Sequence, residues 1–303
     1  MAGTLRSSVM EPETNRPATR RHQAGGSSAR ALLMTVLGEF VLPRCQPAWT
    51  QALVEVLGRL GVEEKSARQA LARTAAEGWL VSDRDGRRVR WSLTEAGRAL
   101  LTEGARRIYG FGARAQDWDG RWLVLSVTVP ESQRQLRHRL RTRLAWAGLG
   151  SPAPGLWVTP DAGKEAEVAR VLSEQGLSDS AFSYIGHFGG IGDPQDVVTQ
   201  AWDLAEVEAD YAAFIAEFEH ARPATPDEVM VAQLRLVHSW RRFPFVDPQL
   251  PEELLPSGWV GTRAAEVFRS RHGDWDVEAR RRWAVLAGDV APGQAPEQAP
   301  AGR

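Results

Sequence analysis

Apolar positions recur at helical spacing from Ser28 onward. Ser28 suits an N-cap, and the apolar stripe that follows it ends at Pro43, where the missing backbone donor stops a helix. The stripe consists of Leu32, Leu33, Val36, Leu37 and Phe40. The same spacing predicts a second helix over Trp49–Leu60 and a third over about Glu64–Glu77.

The spacing then changes from helical to alternating. Two short runs, Trp79–Arg84 and Arg87–Leu93, flank the dipeptide Asp85-Gly86. Asp-Gly is typical of a type I′ turn, which needs positive φ at both central residues, so the segment predicts a β-hairpin. A fourth helix is expected from Thr94 to about Ile108. Because the second and third helices have helix-turn-helix spacing, the pattern predicts a winged helix over residues 28–109.

The middle of the chain alternates between strand and helix patterns. The apolar run Arg121–Val129 predicts a buried strand, and helix, strand, helix and strand patterns follow at 132–147, 155–159, 164–175 and 181–187. This order predicts a ferredoxin-like α+β domain over residues 118–192.

Helical spacing returns in the last third of the chain and predicts a helical C-terminal domain over residues 196–287. Its expected helices are Val197–Glu219, Asp227–Trp240 and Ala264–Trp283. Residues 1–27 and 288–303 lack periodicity and are rich in small and polar residues, which predicts a disordered arm and tail. The expected fold class is therefore multidomain α+β.

Composition places the chain among soluble intracellular proteins. The apolar fraction is 43%, the charged fraction is 25% and the formal net charge is −1, all ordinary for a globular protein. Cys45 is the one cysteine, which excludes an intrachain disulfide and suits a reducing compartment. No apolar run reaches the roughly 20 residues of a membrane span. We expect a cytoplasmic protein without membrane contact.

The third helix and the hairpin carry the residues expected to meet DNA. In a helix-turn-helix, the second helix of the motif presents its N-terminal residues to base edges. The expected exposed positions of the helix are Lys65, Ser66, Arg68, Gln69 and Arg73. Arg68 suits guanine and Gln69 suits adenine. The alternative is that these residues form only a solvated face.

The hairpin is basic, and this favours DNA over a protein partner. Its arginines are Arg84, Arg87, Arg88 and Arg90. Alternation places Arg88 and Arg90 on one face, with Arg87 on the other. Contacts from these side chains to phosphates add affinity without reading sequence. The alternative is that some of them pair with Asp83, Asp85 or Glu95. A second basic run in the arm, at residues 20–22, is a further possible phosphate contact.

Several long stretches resemble one family, the PaaX-like repressors of phenylacetic acid degradation. The stretches are SARALLMTVLGEFVLP, GVEEKSARQALARTAAEGWL, GRRVRWSLTEAGRALL, DGRWLVLSVTVPESQRQLRHRLRTRLAWAGLGSPAPGLWVTP and VHSWRRFPFVDPQLPEELLP. They occur in order between about residues 28 and 285. The resemblance implies a winged helix, a central domain with the fold of the CRISPR spacer-acquisition nucleases, and a helical C-terminal domain. It also implies a homodimer on a palindromic operator and release by phenylacetyl-CoA.

An acyl-CoA effector needs cationic groups for its phosphates. Arg137 and Arg141 lie four residues apart on one face of the arginine-rich helix predicted over residues 132–147. The guanidinium group suits phosphate, although this face could equally be solvated or turned to DNA. Arg241 and Arg242 stand among aromatic residues and form a second candidate pair, with a packed turn between helices as the alternative.

An enzymatic function finds little support in the residues. The nucleases with the central fold are expected to hold a metal through an aspartate at the end of the first strand, but Arg121–Pro130 contains no acid. Asp117 and Asp119 precede the strand, and His187 and His238 are isolated. We therefore expect no catalysis, no metal site and no cofactor. The alternatives are a metal-dependent nuclease and a winged helix that binds proteins.

Overall fold

The computed structural model describes residues 28–112 and 118–288. The predicted arm with its basic run, Asp117 and nearly all of the predicted tail lie outside the described residues. Among those described, no helix is both long and apolar enough to cross a membrane.

The N-terminal part of the chain has the winged-helix layout, and residues 28–112 are called the winged-helix unit below. Its helices are α1 (Ala29–Val36), α2 (Thr50–Arg59), α3 (Glu64–Ala76) and α4 (Glu95–Gly110). Its strands are β1 (Ala48–Trp49), β2 (Leu80–Asp85) and β3 (Arg88–Leu93), in the order β1-β3-β2. Ser28 caps α1 by accepting a hydrogen bond from the Ala31 N–H at 3.2 Å. After α1 the backbone continues as a π-helical turn, Leu37–Val41.

The hairpin turn lies one residue later than the Asp85-Gly86 turn expected from the sequence. Asp85 pairs with Arg88, so the two loop residues are Gly86 and Arg87. Gly86 has a φ of +60°, while Arg87 is not among the described residues with positive φ. Positive φ at the first central residue alone is the pattern of a type II′ turn rather than type I′. Arg87 is therefore a turn residue, and the expectation that it lies on a strand face is wrong.

The central unit is a ferredoxin-like sandwich. It contains β4 (Arg121–Val127), α5 (Arg134–Trp146), β5 (Gly150–Ala153), β6 (Leu156–Thr159), α6 (Glu165–Glu174) and β7 (Ala181–His187). The four-stranded antiparallel sheet has the order β5-β6-β4-β7. The sequence pattern did not predict β5, because its residues Gly-Ser-Pro-Ala are poor strand formers.

The C-terminal region is helical, with one break that the periodicity did not predict. Its helices are α7 (Pro194–Ala201), α8 (Leu204–Phe218), α9 (Pro226–Trp240), α10 (Phe243–Val246) and α11 (Gly261–Ala287). The expected single helix Val197–Glu219 is wrong. The chain leaves the helix at Trp202, and Asp203 caps α8 by accepting from the Glu206 N–H at 3.3 Å. Helix α7 packs against β5 of the central unit.

The winged-helix unit and the C-terminal helices share one hydrophobic core. Met230 and Leu234 of α9 and Trp283 of α11 are buried in the same cluster as α1, α2 and α3. Phe40 stacks on Trp283 with ring centroids 5.4 Å apart. The winged-helix unit is therefore not a separate domain on a flexible linker, because residues about two hundred positions later in the chain supply part of its core.

Candidate nucleic-acid interface

Helix α3 presents a polar face to solvent, because its apolar face is buried in the core. Ala67, Ala70 and Leu71 are buried against the rest of the unit. The opposite face exposes Lys65, Arg68, Gln69 and Arg73, while Ser66 is half-buried. Glu64, Lys65, Arg68, Gln69 and Ala72 line an open depression on this face. The candidate base-contacting residues therefore lie together on one accessible surface.

Arg68, the candidate guanine reader, is already engaged within its own helix. Its Nε donates to Glu64 Oε1 at 2.8 Å, one turn earlier. Both side chains are more than half exposed, and an exposed pair of this kind is worth only about 0.3–0.5 kcal/mol. The pair can open at low cost, so Glu64 acts as a competitor for the guanidinium.

The hairpin arginines differ in how freely they face solvent. Arg90 lies opposite Asp83 in the ladder and bonds its Oδ2 through Nε at 2.9 Å and a terminal nitrogen at 2.6 Å. This hydrogen-bonded contact with Asp83 raises the pKa of Arg90. Arg88 lies over the Trp49 ring at 5.6 Å. Arg84 and Arg87 are exposed and have no ion pair with any described residue.

The hairpin is held firmly to the helices at two places. Thr50 donates to the Val89 carbonyl at 2.9 Å and accepts from Trp91 Nε1 at 2.8 Å. At the other end, Gly97 of α4 lies so close to the backbone that a Cβ would stand 2.2 Å from the Trp79 carbonyl oxygen. The hairpin therefore has a defined position relative to α3.

The candidate effector residues lie elsewhere and in two different settings. Arg137 is exposed and Arg141 half-buried on α5, and neither has an ion pair with a described residue. Arg241 donates to the Ala31 carbonyl at 2.7 Å, and burial lowers its pKa. Arg242 pairs with Asp210 at 2.5 Å. The alternative of a packed turn describes this segment better, because Trp240 and Phe243 are fully buried.

Sequence reasoning missed a polar group at the joint between the winged-helix unit and the C-terminal helices. Glu39 is 3% exposed. It accepts hydrogen bonds from Tyr109 and from Gln233 Nε2, the latter at 3.1 Å, and contacts His272 Nε2 at 3.2 Å. Burial and the nearby carboxylate raise the pKa of Tyr109. One signal was present, because Glu39 interrupts an apolar stripe beside Phe40.

A second polar contact holds α1 against α9. His238 Nδ1 lies 3.0 Å from Thr35 Oγ1, and the same hydroxyl receives a longer hydrogen bond from Arg241 at 3.3 Å. Burial lowers the pKa of His238 to about 4. His238, which the sequence left isolated, is thus a neutral hydrogen-bonding residue of the joint at physiological pH.

Comparison with known proteins covers nearly all of the described chain. Residues 28–97 match the family described as PaaX-like protein, residues 115–198 the PaaX protein central Cas2-like domain, and residues 202–285 the PaaX-like protein C-terminal domain. The transcriptional repressor PaaX of Escherichia coli (strain K12) is 33% identical over 252 residues, covering 79% of this chain and 78% of that protein. An uncharacterized protein from Mycobacterium tuberculosis shares the fold, with a TM-score of 0.57 and 21% identity over 86% of this chain and 98% of that chain.

Proposed function

Because the chain belongs to the PaaX-like protein family, we propose that it is a transcriptional repressor that binds double-stranded DNA and is released by an acyl-CoA such as phenylacetyl-CoA. The observation that carries the DNA-binding role is the exposed face of α3 beside a firmly held basic hairpin. The similarity to a repressor over most of the chain supports the same role.

In the proposed complex, α3 enters the major groove and the hairpin lies along the backbone. Arg68 and Gln69 project from the N-terminal half of α3, where a recognition helix contacts base edges. Arg84 and Arg87 are available for phosphates, since no described residue pairs with them. Base contacts set the sequence preference, whereas phosphate contacts make affinity fall with salt.

A palindromic operator requires two copies of the winged-helix unit, and β7 is our candidate for the surface that joins them. It is an edge strand of the central sheet, and Phe182 and Tyr184 on it are 59% and 65% exposed. An unpaired edge strand with exposed aromatic side chains is a ready template for a second chain. On a palindromic operator, the two α3 helices of a homodimer have to reach half-sites one helical turn, about 34–36 Å, or a multiple of it apart.

The proposed effector contact is the face of α5 that carries Arg137 and Arg141. Helix spacing puts the two guanidinium groups on one side, and neither is neutralised by a described carboxylate. Bidentate guanidinium groups suit the phosphates of coenzyme A. Helix α5 contacts α10, and the C-terminal helices share a core and the joint at α1 with the winged-helix unit, so these contacts connect α5 to the winged-helix unit.

The first experiment is a gel shift with DNA from the protein's own promoter region, at two salt concentrations and with or without phenylacetyl-CoA. We expect tight, salt-sensitive binding that the ester abolishes. Arg68→Ala should weaken binding and relax the preference at one base pair by about 1–3 kcal/mol. Arg106→Ala is the matched control, because Arg106 is also an exposed helical arginine paired with a glutamate.

The possible outcomes distinguish the DNA-binding role from the identity of the effector and from its binding site. Binding that ignores phenylacetyl-CoA keeps the repressor and directs the search to other acyl-CoA esters. If R137A/R141A retains DNA binding but resists release, the α5 face is the effector contact. The control is R170A/R222A, which alters two exposed arginines outside α5 and should behave like the unaltered protein. Absence of binding to every promoter fragment would remove the DNA-binding role and favour a protein-binding winged helix.

A further inference from the structure

The polar group around Glu39 brings together three side chains of the kinds that bind metal ions. Glu39 comes from the π-helical turn after α1, and His272 and Asp276 lie one turn apart on α11. One ligand atom from each of the three can be chosen so that all lie within 4.8 Å of one another. π-helical turns are frequent at functional sites, because they reposition one side chain relative to its helix.

A fourth residue places a buried amide against the same group. Gln233 is completely buried, and its Oε1 has no hydrogen-bond partner among the described residues. Its Nε2 donates to Glu39 Oε2 at 3.1 Å, so the amide is directed into the same group. A buried acceptor is normally satisfied by a donor or a cation. Rotating the amide by half a turn would bring the oxygen to the position that now holds the nitrogen.

The charges in the group also favour an added cation. Two carboxylates, those of Glu39 and Asp276, lie near a single guanidinium, that of Arg280. The Arg280 Nε–H is shared between both Asp276 oxygens at 2.8 Å, which occupies only part of their acceptor capacity. A terminal nitrogen of Arg280 donates to the Glu39 carbonyl at 3.2 Å. Arg280 therefore stands where an outer residue would hold a metal-binding carboxylate in place.

We propose that Glu39, His272 and Asp276 bind a divalent transition-metal ion, with Gln233 Oε1 as a fourth ligand. One imidazole combined with carboxylate and amide oxygens suits Zn²⁺ and Mn²⁺. Bringing these ligand atoms, which lie within 4.8 Å of one another, to about 2.0–2.2 Å from one ion requires the side chains to close in and the Gln233 amide to turn over. The ion ties the end of α1 to α11 and so stabilises the joint between the winged-helix unit and the C-terminal helices. This site is independent of the proposed DNA contacts.

The test uses the full chain without a histidine tag, stripped with a chelator and then titrated with ZnCl₂ by calorimetry. CoCl₂ is added in parallel, because a protein-bound Co²⁺ ion gives a visible absorption spectrum that reports its ligands. We expect one ion per chain and a rise in the melting temperature. His272→Gln should lower the Zn²⁺ affinity by more than the roughly 10–100-fold that loss of an outer residue costs. His220→Gln is the matched control, because His220 is exposed beside a single glutamate.

Two further results guard against a variant that simply unfolds. Asp276→Asn keeps the size of the side chain, and its circular dichroism without metal should match that of the unaltered protein while the Co²⁺ spectrum changes. Zn²⁺ binding that survives both H272Q and D276N would place the ion elsewhere and overturn the proposal. The same conclusion follows if neither Zn²⁺, Mn²⁺ nor Co²⁺ binds the stripped protein in one-to-one ratio.

Discussion

Replacing Trp283 by alanine tests whether the winged-helix unit depends on the C-terminal helices. Trp283 is 2% exposed and stacks on Phe40 of the unit. A buried tryptophan removes about 150–250 Å² from water, which at about 25 cal/mol per Å² is about 4–6 kcal/mol. Measured tryptophan-to-alanine changes in cores cost about 3–5 kcal/mol. We expect a loss of that size in the free energy of unfolding.

The assay is thermal and urea unfolding of the full chain, followed by circular dichroism. For folded regions of about 150–250 residues, each 1 kcal/mol shifts the melting temperature by about 2–4 °C, so Trp283→Ala should lower it by about 6–20 °C. Val277→Ala is the control on the same helix, because Val277 is 67% exposed and should change stability by less than about 0.5 kcal/mol.

Two results would contradict this expectation. One is a Trp283→Ala protein that loses no more stability than Val277→Ala. The other is a melting curve in which the winged-helix unit unfolds in a separate step that the substitution leaves unchanged. In both cases the shared core would not couple the two regions, and an effector signal would need another route to DNA.

Three other substitutions test separate contacts. Gly97→Ala should destabilise the protein, because the new Cβ would lie 2.2 Å from the Trp79 carbonyl oxygen. Gly104→Ala on the same helix is the control, because its Cβ would meet nothing within 4 Å, and it should stabilise the protein by up to about 1 kcal/mol. Equal changes in melting temperature would contradict this expectation. Glu64→Gln should free Arg68 and tighten promoter binding about twofold, from the 0.3–0.5 kcal/mol of the exposed pair, as measured by fluorescence anisotropy. Weaker binding would mean that Glu64 itself contacts DNA. Burial lowers the pKa of His238 to about 4, below the unfolded value of about 6.5. Since the unfolded chain then binds more protons between these values, stability should fall as pH drops from about 6.5 to about 4. His238→Gln should flatten that slope in urea titrations, and an unchanged slope would assign it to other groups.

Local pattern predicted most of the elements, because each carries its own period. The apolar stripes of α1, α2 and α3 and the basic hairpin were evident from the residues alone. Errors arose where local chemistry was ambiguous. Trp202 continues the apolar period of α7, so only the capping role of Asp203 reveals the break. Gly86 could be the first or second residue of a two-residue turn, and the ladder decides in favour of the first.

The candidate DNA surface was predictable for the same reason, whereas the polar joint was not. Arg68 and Gln69 follow from helix periodicity, although the Arg68–Glu64 pair was not anticipated despite its spacing of four residues. The partners of the Glu39 carboxylate, Gln233 and His272, lie about two hundred residues away in sequence. Hydrophobic periodicity cannot predict such a contact, because the contact forms only when α9 and α11 pack on α1.

Under the proposed function, the joint is the contact through which a bound effector would act on the winged-helix unit. Arg241 and His238 hold α1 from one side, while Glu39 meets α9 and α11 from the other. Glu39 and Gln233 are buried, and His238 and Arg241 are half-buried. Because breaking hydrogen bonds between such groups is costly, the joint favours discrete arrangements over gradual bending. An effector that binds one arrangement better shifts the population of both regions together. Since α1 packs directly on α3, a displacement of α1 alters the position of the face that carries Arg68 and Gln69.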